Sequence, residues 1–137
     1  MNAASKDIAH ILDIEGSLSL TLATNLFSSR MPNTPDAVVA IYDNPGSTPL
    51  LTLDKATSDY YFSSVSIQVR DTTYQDGWDM AFAIMEFLHG SHGVIQDGSF
   101  YTLIKALNNP QLLHFDENDR PTLVINFEAQ RREHVFG

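Results

Sequence analysis

Between residues 64 and 90 the apolar side chains change their spacing, and this change constrains the fold more than any other stretch. Val65, Ile67 and Val69 alternate with Ser66, Gln68 and Arg70, the period-two pattern of a half-buried strand. From about Thr73 to Gly90 the period becomes helical, so a strand feeds a helix. On a projection of about 100° per residue centred on Ala81, Tyr74, Gly77, Trp78, Ala81, Ile84, Met85 and Leu88 fall within about 60° of the centre. That is already a full core face. Phe82 lies about 100° to one side, and Met80 and Phe87 lie about 100–120° to the other. Only Asp76, Asp79, Ala83 and Glu86 form a plainly polar back, which leaves three bulky residues without an obvious place to bury.

The remaining elements follow from shorter signals. Ser5 is a candidate N-cap for a helix over residues 6–15, closed by Gly16, with Ile8, Ile11, Leu12 and Ile14 on one side. Leu18, Leu20 and Leu22 alternate with serine and threonine, which predicts a strand. Residues 31–36, MPNTPD, read as a turn. Residues 37–43 read as a strand buried on both faces, and NPGSTP as a second turn. A short strand is expected at residues 51–53. Asp97-Gly98 is a type I′ turn pair and predicts a hairpin. NNPQLLHFDENDRP reads as a loop, and Leu123, Ile125 and Phe127 mark a final strand before a polar tail over about 131–137. Strands in runs, instead of alternating with helices, imply an α+β fold with a mainly antiparallel sheet and two helices on one face. At 137 residues, a single domain over 1–137 is expected.

Composition excludes several functions. With no cysteine, thiolate catalysis, disulfides and sulfur-ligated zinc are ruled out. Seventeen acids oppose 8 bases, for a net charge of −9, and no basic patch is evident with which to grip nucleic acid. Between Arg70 and Lys105 there is no lysine or arginine, whereas Asp71, Asp76, Asp79, Glu86 and Asp97 all occur there. The N-terminus has no signal-peptide pattern, and no run approaches the roughly 20 apolar residues of a membrane span. A soluble intracellular protein with no membrane association is the expectation.

Candidate chemistry is thin. Ser91, in HGSHG, follows a helix and lacks the G-x-S-x-G spacing of a nucleophile elbow. His89 and His92 lack further metal ligands nearby, and His89 reads instead as an imidazolium at a helix C-terminus. DENDRP resembles the start of a calcium loop, but Phe127 stands where the bidentate glutamate belongs. No catalytic residue, cofactor site or metal site is expected, and the chain does not read as an enzyme. The surplus apolar residues Met80, Phe82 and Phe87 leave two readings side by side: burial within the chain, or self-association.

Two longer stretches carry a resemblance. Residues 25–46 hold a Met-Pro-x-x-Pro-Asp turn (Met31 to Asp36) before an apolar strand ending Ile41-Tyr42-Asp43. Residues 64–90 hold a strand ending Gln68-Val69-Arg70, a Tyr-x-x-Gly-Trp helix start (Tyr74 to Trp78) and a Leu88-His89-Gly90 helix end. Together with Asp116, Asn118, Arg120 and Pro121 before the last strand, these pieces resemble the small tailed-phage proteins known as minor capsid or tail-terminator proteins. The likeness covers roughly residues 7–132; DNPGSTP departs from the Gly-Gly turn of the pattern.

The resemblance implies a virion protein that forms a ring, usually a hexamer, at the head-proximal end of a long tail. Such a ring ends growth of the tail tube and meets the head connector, so the implied partners are further copies of the chain, the tail tube protein and a head-completion or connector protein. Genomic double-stranded DNA would pass through without specific binding. A ring needs two different flanks per subunit, and Met80, Phe82 and Phe87 are the implied interface residues. Asp76, Asp79 and Glu86 would face the lumen or merely solvent, and Arg131 and Arg132 would meet an acidic partner. The alternatives are a head-side completion or stopper protein of the neck, and a monomeric soluble α+β binding domain.

Overall fold

The computed structural model describes residues 1–50 and 60–133. Helix α1 spans Ala4–Glu15 and α2 spans Tyr74–Leu88. The strands are β1 (Leu26–Ser28), β2 (Val38–Leu50), β3 (Tyr60–Arg70), β4 (Val94–Gln96), β5 (Ser99–Ala106), β6 (Gln111–Phe115) and β7 (Pro121–Glu133). They form one sheet in the order β1-β2-β3-β7-β5-β4, with β6 also paired to β7. Only the β1–β2 pair is parallel. Strand β7 is long enough to hold β6 along residues 121–124 and β5 along residues 127–133 on the same edge. The α+β class and the antiparallel sheet agree with the sequence reading.

The register explains how the core is built. Residues opposite one another in an antiparallel pair share a face. Val69 pairs with Val39 and Leu123, Ile67 with Ile41 and Ile125, and Val65 with Phe127. Ile8, Leu12, Ala81, Ile84 and Leu88 from the two helices join all of these but Leu123 in one buried cluster. The opposite face is polar at its middle: Asn44 Nδ2 donates to Ser66 Oγ (2.7 Å), and Ser66 Oγ donates to Asn126 Oδ1 (2.6 Å).

Four expectations change. Helix α1 starts at Ala4, and Ser5 lies inside it. The cap comes instead from β2, where Asp43 accepts the Ser5 N–H (3.0 Å) and the Ser5 hydroxyl (2.6 Å). The Leu18-Leu20-Leu22 alternation does not make a strand. Ser19 and Ala23 have positive φ, and Asn25 closes the segment by accepting from Thr21 N and donating to Ser19 O, so only residues 26–28 extend. Strand β2 runs through NPGSTP to Leu50, with register shifts absorbing the irregularity; Pro45 is tolerated because β1 pairs only with residues 39–41 and leaves that edge free. Finally, the expected loop at 108–121 contains β6, whose five residues are all exposed and therefore show no alternation.

Asp97 and Gly98 both have positive φ, as the type I′ turn requires. The strand expected at residues 51–53 lies outside the described residues, as do residues 134–137. Strand β7 takes in residues 131–133 of the expected tail. Among the described residues, no helix is long and apolar enough to cross a membrane.

Candidate assembly surface

Thr73 starts α2 by accepting the Asp76 N–H on its side-chain oxygen (3.2 Å). The helix then lies close on β7: a Cβ at Gly77 would come within 2.8 Å of Leu123 Cδ1. Glycine here sets the depth of the helix. The fully buried line is Gly77, Ala81, Ile84 and Leu88, centred about 30° from Ala81 towards Ile84 on the helical projection.

That rotation distributes the surplus residues. Met80 and Phe87 turn inward, half-buried against the core cluster, and Phe87 shares a cleft with Ile11 of α1 and Val94 of β4. Phe82 turns outward and is 39% exposed. Its ring stacks on Trp78, with centroids 6.3 Å apart and planes at 14°. Tyr74, one turn earlier and expected on the core face, is 45% exposed. Tyr74, Trp78 and Phe82 thus form an aromatic ridge at i, i+4 and i+8. Asp76, Asp79 and Glu86 are all exposed, and Asp79 accepts from Gln75 (2.8 Å).

Strand β6 extends this surface and was not legible in the sequence. Leu112 pairs with Leu123, and Phe115 with Pro121, so both lie on the helix-bearing face beside α2. Leu112, Leu113 and Phe115 are exposed, as is Leu107 just before the strand. Met85, Ala106 and Leu107 line a groove between α2 and the β5–β6 connection. The apolar flank is therefore continuous from the aromatic ridge to the sheet edge.

The sequence motifs prove to be junctions within the chain. Arg120, 6% exposed, donates to Asn33 O (2.8 Å), Asn33 Oδ1 (2.8 Å), Asp36 Oδ1 (3.0 Å) and Asp116 Oδ2 (2.8 Å). Arg70 donates to Pro35 O (2.6 Å) and Asp36 O (3.1 Å). The MPNTPD turn, the QVR strand end and the DENDRP loop meet in this clamp. The Arg120 hydrogen bond to its side chain holds the Asp116 carboxyl below its ordinary range, and Asp116 in turn raises Arg120. Desolvation lowers Arg70, helped by Arg120 nearby. At the other end of β7, Asp7 on the buried side of α1 accepts the Tyr101 hydroxyl (2.6 Å) and lies 3.7 Å from Arg131 Nη1. Burial, then the Asp7 hydrogen bond, raises the Tyr101 phenol.

These contacts also place the other candidates. Arg131 donates to Asn2 O (2.6 Å) and Ser63 Oγ (3.0 Å) and is 8% exposed, so it is not available to an acidic partner as expected. The Arg132 guanidinium lies over the Phe100 and Tyr60 rings, at 5.1 and 6.0 Å. Ser91 Oγ donates to Phe87 O (3.2 Å). His89 is the C-cap residue of α2, its N–H donating to Met85 O, and its Nδ1 accepts the Ala106 N–H (2.9 Å). Asp116 is taken up by Arg120 and its own loop. Among the described residues, no three histidine or acidic side chains cluster as metal ligands would.

Comparison with known proteins agrees with the motifs. No curated protein matches the sequence. The chain is similar in fold to a chain from a solved structure described as the virion of a native gene transfer agent particle. The TM-score is 0.62, identity is 13%, and 95% of each chain is covered. Residues 6–132 match the family model described as bacteriophage tail terminator protein. By this match over nearly its whole length, the chain belongs to the bacteriophage tail terminator family, a family of structural phage tail proteins.

Proposed function

We propose that this chain, folded as one domain over residues 1–137, forms a ring at the head-proximal end of a long phage tail, most simply a hexamer. The ring ends growth of the tail tube and joins it to the head connector, so its partners are further copies of itself, the tail tube protein and a head-completion protein. Assembly takes place in the host cytoplasm before incorporation into the virion. The observation that carries this reading is the uncovered flank of Tyr74, Phe82, Leu112 and Phe115, with half-buried Trp78 between the first two, in a tail terminator relative. Exposed apolar surface of this extent marks an association site, and aromatics are enriched in such sites.

Phe82 would lie in one subunit contact. Phe87, from the cleft it shares with Ile11 of α1, and the half-buried Met80 would support a second contact. The acids Asp76, Asp79 and Glu86 would border the channel, where negative charge repels DNA phosphates and lets the genome pass without adhering. The ring has no catalytic task in this reading.

A stop at the Trp78 codon in the parent phage or prophage tests the proposal by electron microscopy of the induced lysate. Overlong or ragged tail tubes beside unattached heads are expected. Tails of normal length beside unattached heads would move the protein to the head side of the joint. Intact infectious virions would overturn any role at the neck and leave a monomeric binding domain.

A further inference from the structure

We propose that the outer edge of β6 is a strand-addition site for an extended segment of a second neck protein, apolar at alternate positions and flanked by lysine or arginine. This names the contact behind the joining role and rests on the ring reading. Among the described residues, the other edges of the sheet are short, broken or covered. Strands β1 and β4 have three residues each, and Leu22 bridges to Leu26 at the start of β1. Beyond Ile41 the outer side of β2 has no strand beside it, but that stretch contains Pro45 and two register shifts. The outer side of β5 is taken by β4, by Ser91 opposite Ile104 and by the His89 ring at the Ala106 N–H. Short strands, proline, irregular register and cover are the usual protections of a sheet edge.

Strand β6 has less protection. Its residues Gln111, Leu112, Leu113, His114 and Phe115 are all exposed, and none is proline, lysine or an acid. The one irregularity, between Leu112 and His114, leaves Leu113 out of the ladder to β7. In an antiparallel pair alternate main-chain groups point away from the partner, so β6 presents donors and acceptors on its outer side. An added strand would take those bonds and be selected through its side chains. Leu112 and Phe115 would meet it on the helix-bearing face, Gln111 and His114 on the other. Met31 and Asn33 line a cavity with His114 and Phe115, so the open run is Gln111 to Leu113.

Charge and topology indicate which chain supplies the strand. Between Lys105 and Arg120 there is no lysine or arginine, while Asp116, Glu117 and Asp119 occur. Arg120 takes up Asp116, but Glu117 and Asp119 are exposed, as are Asp79 and Glu86 on the helix beside β6. Arg30 lies over Phe27, on the face away from α2. A basic segment is therefore favoured, and a copy of this chain, at net charge −9, is disfavoured. Two β6 edges could pair with each other, but that contact is two-fold and would bring their acids together.

Substitutions at Leu113 test this, because that residue has no β7 partner to lose. Leu113→Lys adds the residue that commonly protects edge strands, and Leu113→Glu is its charge control. Both are expected to sediment and to unfold in urea as the unmodified chain does. When each replaces the chain in the phage, Leu113→Lys should lower the yield of head-joined tails roughly tenfold, and Leu113→Glu clearly less. In purified virions carrying Leu113→p-benzoylphenylalanine, irradiation should link position 113 to another virion protein, in an alternating apolar stretch beside a lysine or arginine. The isolated chain should give no link. Links only between copies of this chain, no link in virions that contain it, or full joining by Leu113→Lys would overturn the strand addition and leave the ring reading standing. So would equal losses from the two variants, since a basic segment is part of the proposal. An unmodified chain that stays monomeric at all concentrations and is absent from virions would overturn both.

Discussion

In the clamp at the head of β7 a guanidinium is 6% exposed, whereas on α2 a phenyl ring is 39% exposed. Arginine and phenylalanine usually occupy the opposite positions. Arg120 is buried at acceptable cost because Asp36, Asp116 and Asn33 surround it with acceptors. Phe82 stacks on the half-buried Trp78 and stays exposed on its other side. The first region is finished by the chain itself. The second has surface left over, and the two call for different experiments: one should govern folding, the other association.

The largest effect is expected inside. Asp7→Ala leaves the Arg131 guanidinium and the Tyr101 hydroxyl without their buried acid, and removing one partner of such a pair costs about 3–5 kcal/mol. Urea denaturation measures it; a loss below about 1 kcal/mol would mean the junction is not closed as described.

Next is Phe82→Ala, where the expected pattern reverses. Stability should change by no more than about 1 kcal/mol, while the assembly constant falls by about 2 kcal/mol, roughly thirtyfold. Sedimentation across a concentration series separates the two. A variant that unfolds but assembles normally would break the contrast between the regions.

His89→Ala removes the acceptor of the Ala106 N–H. It should cost about 1 kcal/mol of stability and nothing in assembly, so an assembly defect would extend the association surface to the end of α2.

The smallest effect is a slope. The Asp116 carboxyl is depressed by Arg120, so its contribution is fully present above the ordinary carboxylate pKa, about 4, and is lost as pH falls through the depressed value. Between those limits the stability of Asp116→Asn should fall less steeply with acid than that of the unmodified chain. Identical slopes would show that the pair does not couple to folding.

Much of this was readable from residue order. The β3 alternation, the α2 period, the Asp97-Gly98 hairpin and the β7 pattern are local signals, and each formed where expected. The motif pieces pointed to the right family. What failed had a non-local cause. Ser5 looked like a cap, but the capping carboxylate comes from Asp43, thirty-eight residues away. Leu18 to Leu22 alternated, but only Leu22 bridges, to Leu26, and no strand forms. Strand β6 alternates in nothing because neither of its faces is covered. Of the proposed interface residues, the helical projection separated Phe82 from Met80 and Phe87. It also placed Tyr74 in the core, whereas Tyr74, the first residue of α2, is exposed.

The sequence by itself determined the class of the fold, the periods of its main strands and second helix, and the excess of apolar surface on that helix. These depend on side-chain spacing along one element. Only the tertiary structure decided which of those apolar residues stay exposed, because that depends on how α2 sits on β7. Gly77 lets it sit close and slightly rotated, and this small rotation turns Met80 and Phe87 inward and leaves Phe82 outside, while Tyr74 is exposed at the first residue of the helix.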